Sequence, residues 1–497
     1  MRRKIAILIA QALLVSMLMC VLSAHQTVAE TSAEKSTMAL EIHIPVPFYY
    51  QEEDCYCGPA ALQMVFNYYG ENVSQPEIAD VARTIGEPIW STFTDELRRA
   101  GHFSNQSTSM GDEMPENITG YALRTLGYAA FESEGMDLTM FKETLDESGP
   151  LILLMWYSSM HVSTHYRVAT GYNETHVFLH DPWDNVTWGG RYGGPNIPFN
   201  NTEFMDLWSY YDNWALLVSP WKVDLSSPRY IKPETPFQIN ATITYPEPPP
   251  NALSDYPASS CNVAIALPAN LSLAEGEIQK KTVGTGSLLA GTNATVNWML
   301  IANSPVIGTV NITAEGMISG SVWAHVNYTA YDYDDRIGAT ANFTIQLDED
   351  NTGPAVGTPS RVPDTDVQPY QDVRVSANVT DTESGVQNAT LFYTIDNGTT
   401  WENLTMSFNQ STSLYEAAIP GQQAGAWVRF KMAAYDCVGN NATFDGTEPY
   451  YTYQVVPEFL SLLILPLFMI ATLLAVIIHR RRHERVVRQT SGCRDRF

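Results

Sequence analysis

The sequence predicts an α+β domain, two all-β sandwiches after it, and one C-terminal membrane-crossing helix, and three observations carry that prediction. Between residues 45 and 220, helical periodicities give way to apolar strand-like runs, the order of an α+β domain. From residue 221 the chain turns rich in Thr, Asn and Val and breaks into short alternating segments such as 237–243 and 373–379, each with one face for a core. Phe459 to Ile478 carries no charge over about the length that crosses a hydrocarbon core, and arginines follow at once.

A chain of 497 residues exceeds what one core organises, so several domains are expected. Met1-Arg-Arg-Lys4 followed by the apolar run from Ile5 to Ala24, with small residues at Ala24 and Ala29, reads as a signal peptide over 1–29; retention as an uncleaved anchor is the alternative. A linker spans 30–44 and the α+β domain 45–220. A first sandwich covers 221–349, the acidic, turn-rich stretch from Asp348 to Pro354 marks the next boundary, and a second sandwich covers 350–455. The membrane helix is expected over 456–479 with a basic tail at 480–497. Arg480, Arg481, Arg482, Arg485 and Arg488 put that tail in the cytoplasm and the bulk of the chain outside the cell.

The formal net charge is −26, and both ends are basic, so the intervening region is more acidic than the total. That balance excludes nucleic acid as a partner and suits an exported surface held soluble by self-repulsion. Asn-x-Ser/Thr sequons at Asn72, Asn117, Asn240, Asn311, Asn378 and Asn441 point to a glycoprotein. Six scattered cysteines do not make a disulfide scaffold. Cys55, Cys57, Cys261 and Cys437 lie in the exported part, and the last two can pair. An unpaired exported thiol is a candidate reactive group.

Within 45–220, apolar positions at Ala61, Met64, Val65 and Tyr68 predict a helix over 58–70 whose N-terminus holds Cys57. Ser74-Gln-Pro-Glu77 is a capping box that opens a second helix ending at Gly86. A third helix is expected over 137–148, with strands over 151–157, 166–172 and 176–179. In the second sandwich, the segment from Thr394 to Trp401 reads as a hairpin turned by Asp396-Asn397-Gly398, a structural feature.

Cysteine-dependent acyl chemistry needs a thiolate, an imidazole, a group that orients the imidazole and a donor for the oxyanion. Cys57 opens a helix whose positive end favours the thiolate, and Gly58 behind it lets a substrate backbone approach. Gln51, six positions earlier, can turn its amide toward a developing oxyanion. His161, His165, His176 and His180 all lie near the predicted strands. His165 stands at the edge of one, and two adjacent antiparallel strands would bring it beside Asp181. His180 is the main rival base, although neighbours on a strand point to opposite faces. No cofactor-binding or metal-ligand motif is read.

The strings Val46-Pro-Phe-Tyr-Tyr-Gln51, Asp54-Cys-Tyr-Cys57-Gly-Pro-Ala-Ala-Leu62, His165-Tyr166, Gly171-Tyr172 and Asp181-Pro182 resemble the double-glycine (bacteriocin-processing) peptidase-like branch of the papain-fold cysteine peptidases. The resemblance covers residues 45–220 and implies a papain-like domain with Cys57 as nucleophile, His165 as base, Asp181 as its orienting group and Gln51 as oxyanion donor. Thr164 before the histidine and the additional Cys55 depart from the family pattern without removing any of the four groups. The transporter-fused members act on leader peptides at the cytoplasmic face, so their double-glycine specificity does not carry over to an exported domain. The sandwiches resemble immunoglobulin-like and fibronectin-like repeats of archaeal and bacterial surface proteins, and Val456-Pro-Glu-Phe459 with its apolar run and arginines resembles an archaeal Pro-Glu-Phe-type anchor. Together these imply a membrane-anchored extracellular cysteine peptidase acting through a thioester on peptides, proteins or cell-envelope amides. A transamidase or isopeptidase using the same triad, or a non-catalytic surface adhesion or binding protein that keeps the papain fold, are the alternatives.

Overall fold

The computed structural model describes residues 42–87, 89, 91–105, 107, 121, 124–190, 192–324, 329–444, 451–457 and 461–490. The expected signal peptide, most of the linker after it and the end of the basic tail lie outside the described residues. The described residues within Met1–Ser227, Gln238–Leu300 and Gly308–Ile345 form one compact unit, and those within Pro228–Phe237, Ile301–Ile307 and Gln346–Phe497 form a second.

In the first unit, helix α1 (Cys57–Tyr68) is buried on nearly every side: Ala60, Ala61, Leu62, Met64, Val65 and Phe66 have no exposed surface. The sequence suggested one apolar face. A helix apolar all round belongs in a core, and this one packs against the central strand of a sheet. Helix α2 (Gln75–Val81) starts at the expected capping box, with the Ser74 backbone N–H donating to Glu77 at 2.9 Å and the Glu77 N–H returning a bond to the Ser74 hydroxyl. Helix α3 (Thr94–His102) has no apolar stripe in the sequence, yet Arg98, Arg99 and His102 are buried. Helix α4 (Leu138–Ser148) is capped by Asp137, and α5 (Asn201–Leu207) by Asn200.

The sheet holds β1 (Ile42–His43), β2 (Ala129–Ser133), β3 (Leu151–Trp156), β4 (Thr164–Tyr172), β5 (His176–Asp181), β6 (Gly194–Asn200) and β7 (Ala215–Ser219). Its order is β2-β7-β3-β4-β5-β6, with the short β1 added to β4. Ile42 pairs with Tyr172 and His43 with Gly171. A Cβ at Gly171 would stand 2.1 Å from the Ile42 carbonyl oxygen, which is why β4 carries a glycine where β1 pairs with it.

The chain leaves this sheet at Ser219 and enters the next with the strand Lys222–Ser226, which pairs antiparallel with Phe237–Thr244. Ala258–Ala266 pairs with Val306–Ala324. Their core includes Trp221, Tyr245, Val263 and Trp298, all buried. In the second unit, alternating residues of Val373–Ala377, Val386–Thr394 and Trp427–Asp436 bury Val373, Val375, Leu391, Phe430 and Met432. The expected hairpin forms there: Tyr393 pairs with Glu402, Asn397 and Gly398 take positive φ, and Asp396 accepts from Thr400 N–H at 2.9 Å. Cys261 and Cys437 are free thiols.

A C-terminal helix runs from Ser461 to Thr490 with Pro466 inside it. Among the described residues no helix is long and apolar enough to cross a membrane. The run expected to span begins at residues outside the described ones, and the helix continues without a break through Arg480, Arg481 and Arg482.

Candidate active site

Cys57 is the first residue of α1, preceded by a turn in which Tyr56 N–H donates to the Glu53 carbonyl at 3.0 Å. No side chain caps this end, so first-turn N–H groups face the space before the sulfur. A Cβ on Gly58 would meet the Thr92 side chain at 3.0 Å, so glycine lets the loop carrying Thr92 close against the helix start.

His165 reaches Cys57 from β4. The β4–β5 register pairs Val168 with His180, and on the other face of the two strands His165 and Arg167 both reach Asp181. His165 Nε2 lies 2.8 Å from Asp181 Oδ1, and Arg167 Nε donates to Asp181 Oδ2 at 2.7 Å. The Trp183 backbone N–H adds a third bond to the carboxylate at 3.0 Å. With Nε2 committed to Asp181, Nδ1 of His165 is the nitrogen left for the Cys57 sulfur, and the two side chains interact closely enough to shift each other's pKa. Tyr157 stands edge-on to the His165 ring at 5.6 Å, and Trp183 does so at 6.2 Å.

The charges of this array support one another. Burial penalises the imidazolium, but Asp181 and the Cys57 thiolate outweigh that penalty and push the His165 pKa up to about 9. Burial likewise opposes the Cys57 thiolate, and the bond and charge of His165 with the N–H groups of Tyr166 and Gly58 bring the thiol below its ordinary value. Asp181, fully buried, pays desolvation and is nonetheless held well below the usual carboxylate range by Arg167, then His165, then the Trp183 N–H.

The other candidates separate clearly. His180 points to the opposite face, where Nε2 bonds the Val46 carbonyl at 2.9 Å and Nδ1 accepts from Asn196 N–H at 3.0 Å; burial lowers its pKa. His161 stacks on Trp156 and bonds Asp206 at the surface, and His176 bonds Thr175. Cys55 is buried, and its thiol is raised by burial. Gln51 lies beside the site, its backbone N–H tied to the Pro182 carbonyl at 2.8 Å. Its amide, however, donates to the carbonyls of Glu53 at 2.8 Å and Asp54 at 3.0 Å, while Oε1 is buried without a partner.

Arg167 is the residue that sequence reasoning passed over. It is fully buried, its two terminal nitrogens donate to the Trp156 and Tyr157 carbonyls at 3.2 and 3.0 Å, and its plane lies among the rings of Tyr157, Tyr192 and Phe199. A signal was present: an arginine two positions from His165 in an otherwise apolar strand shares its face. Arg167 is placed to hold the Asp181 carboxylate in position. A lysine keeps the charge but not the fork, so Arg167→Lys is expected to lower kcat by up to ~10²-fold and shift the alkaline limb of the pH–rate profile downward as Asp181 loosens. An unchanged profile would deny it that role.

Structural comparison returns solved structures at low likeness. These include domains of titin (TM-score 0.21, 10% identity, 64% of this chain and 88% of that one). The FN1–FN3 domains of chicken CNTN1 also match (TM-score 0.23, 10% identity, 62% and 90%). So does the purple acid phosphatase PPD1 of yellow lupin (TM-score 0.16, 8% identity, 48% and 41%). Comparison with curated proteins gives no match. Residues 43–213, the segment that holds Cys57, His165 and Asp181, match the Peptidase_C39 like family, and this part of the chain is therefore similar to the C39-like peptidases.

Proposed function

We propose that the chain is a cysteine peptidase that hydrolyses peptide or amide bonds through Cys57, His165 and Asp181. The observation that carries this is the buried His165, bonded to Asp181 and set close enough to Cys57 that each shifts the other's pKa. In the acylation step the Cys57 thiolate attacks the scissile carbonyl carbon and its oxygen becomes an oxyanion at the helix start, where the Cys57 backbone N–H is available. His165 as imidazolium gives its proton to the departing amine, leaving a thioester and a neutral ring. Water then loses a proton to His165 and attacks the thioester, and the carboxylic acid leaves as the sulfur regains its charge. Gln51 joins the oxyanion hole by exchanging one of its loop bonds for the substrate oxygen.

The test is cleavage of a mixture of unfolded proteins by the purified full chain, with new termini located by mass spectrometry. Cleavage blocked by iodoacetamide on Cys57 is the expected result. Cleavage that persists after Cys57 is alkylated would refute the mechanism.

We further place this domain outside the cell on a single-pass anchor, Phe459 to Ile478, with the arginine-rich tail in the cytoplasm; the basic flank, the apolar run and the sequons support this arrangement. Protease added to intact cells is expected to remove everything up to about Val455 and spare the tail. A protected Cys57 domain would contradict it.

A further inference from the structure

We propose that the second β-sandwich binds one calcium ion between Asp350, Asp381 and Asp436. Each of the three can direct a carboxylate oxygen so that the ligand atoms lie within 4.8 Å of one another. Asp350 and Asp436 have no exposed surface, and Asp381 is half-buried. Two fully buried carboxylates beside a third repel one another and cost desolvation besides, so the group needs a counter-charge. Among the described residues none of the three forms a salt bridge with a lysine, arginine or histidine.

A second observation points into the cluster: Asp436 Oδ2 is buried and has no hydrogen-bond partner. Its other oxygen is held by the N–H groups of Val438 at 3.0 Å and Asn440 at 2.8 Å. Asp381 is held similarly, with Oδ1 accepting from Glu383 N–H at 3.0 Å and Gly385 N–H at 2.7 Å. Asp350 takes Thr352 N–H at 3.0 Å on Oδ1 and Ser384 N–H at 3.1 Å on Oδ2. Backbone donors thus fix one oxygen of Asp381 and one of Asp436 and leave the second of each for an ion, the outer-shell arrangement that orients metal ligands. An all-oxygen set built from three carboxylates suits a hard divalent cation, and a site assembled from loops after three strands has the tolerance in geometry that calcium accepts and magnesium does not. Asp350 follows the strand Thr329–Glu349, Asp381 follows Val379–Thr380, and Asp436 ends Trp427–Asp436, so the ion would tie three strand ends together.

The test is calorimetric titration of CaCl2 into the chelator-treated full chain, in parallel with thermal melting. One calcium per chain is expected, with a Kd of ~10⁻⁴–10⁻³ M, the range of extracellular modules, and a higher melting temperature. Asp436→Asn and, at the less buried position, Asp381→Asn are each expected to weaken binding at least roughly tenfold and abolish the melting shift, since an amide keeps the backbone bonds and loses the charge. Absence of calcium-dependent heat and shift in the wild type overturns the proposal. So does undiminished binding in the folded Asp381→Asn chain, or a response to MgCl2 equal to that of CaCl2.

Discussion

Cys57→Ala is expected to abolish turnover, with a loss on the order of 10⁶-fold in kcat, the scale seen when a covalent nucleophile is removed. No other group takes over. Cys55, two residues earlier, is buried and its thiol is raised by burial, while Cys261 lies in a strand of another sheet and Cys437 in the turn after Trp427–Asp436, with both thiols also raised. Cys55→Ala is accordingly expected to leave the rate within about a factor of three once folding is matched, since a small buried side chain is exchanged for a smaller one. His165→Ala is expected to approach the Cys57→Ala rate, because residues of such a unit fail together and not additively. Steady-state cleavage of a common peptide by the three variants checks this, and substantial activity in Cys57→Ala would remove the mechanism.

Asp335→Ala is expected to destabilise the first compact unit by about 3–5 kcal/mol, the effect of removing one partner of a buried ion pair. Arg99 of α3 donates to both oxygens of Asp335, at 2.6 and 3.0 Å, with neither side chain exposed to any useful degree. Around that pair, Arg98 bonds Glu132 at 2.7 Å and the Tyr333 hydroxyl, and His102 bonds the same hydroxyl at 2.9 Å. Arg99 also lies 4.2 Å from the Tyr333 ring centre. His102 is held neutral, with burial first and Arg98 next driving its pKa well down. Removing Asp335 takes both of its carboxylate bonds away from a guanidinium with almost no exposed surface. Urea unfolding monitored on the full chain measures the loss, and a change below about 1 kcal/mol would mean that water reaches Arg99 freely. The same contacts bear on a chain ended after Pro220. Tyr333 and Asp335 close the polar face of α3, so residues 221–455 are more than a spacer and the shortened chain is expected to fold poorly.

That helix shows where the sequence stops being legible. Thr94-Asp-Glu-Leu-Arg-Arg-Ala-Gly-His102 has the composition of a solvated segment, and Glu132 together with Tyr333 and Asp335, more than two hundred residues away, turns its arginines inward. Local periodicity holds no trace of them. Helices α1, α2 and α4 were legible because their signals are local: apolar positions at helical spacing before a glycine, a capping box, and a segment ended by Pro150. The strands carrying His165 and Asp181 were legible from apolar runs, and alternation alone sent His180 to the other face. Arg167 was missed because an arginine in a strand reads as an exposed residue, although its position two from His165 sets it on the same face. Gln51 was placed near the site, but its amide spends its hydrogens on Glu53 and Asp54, a matter of side-chain rotation that no spacing encodes. The aspartates 350, 381 and 436 are too far apart in sequence to read as a ligand set.

The central claim is a thiolate–imidazolium pair at Cys57 and His165, and it has a stability signature as well as a kinetic one. His165 rises from an ordinary 6.5 to about 9, so its contribution to folding is complete below 6.5 and is lost as pH climbs through about 9. Asp181 is depressed from 3.8, so its contribution is complete above that value and is lost only as pH falls through its lower native pKa. The site is therefore most stabilising from mild acid to neutrality. The most direct measurement is the rate of alkylation by iodoacetamide against pH, with the modified cysteine identified by mass spectrometry. The pair predicts that Cys57 is modified first, on a plateau already present in mild acid, with a second change near pH 9 that disappears in His165→Ala. A single rise centred on an ordinary thiol pKa of about 8.5, or modification of Cys55 ahead of Cys57, would contradict it.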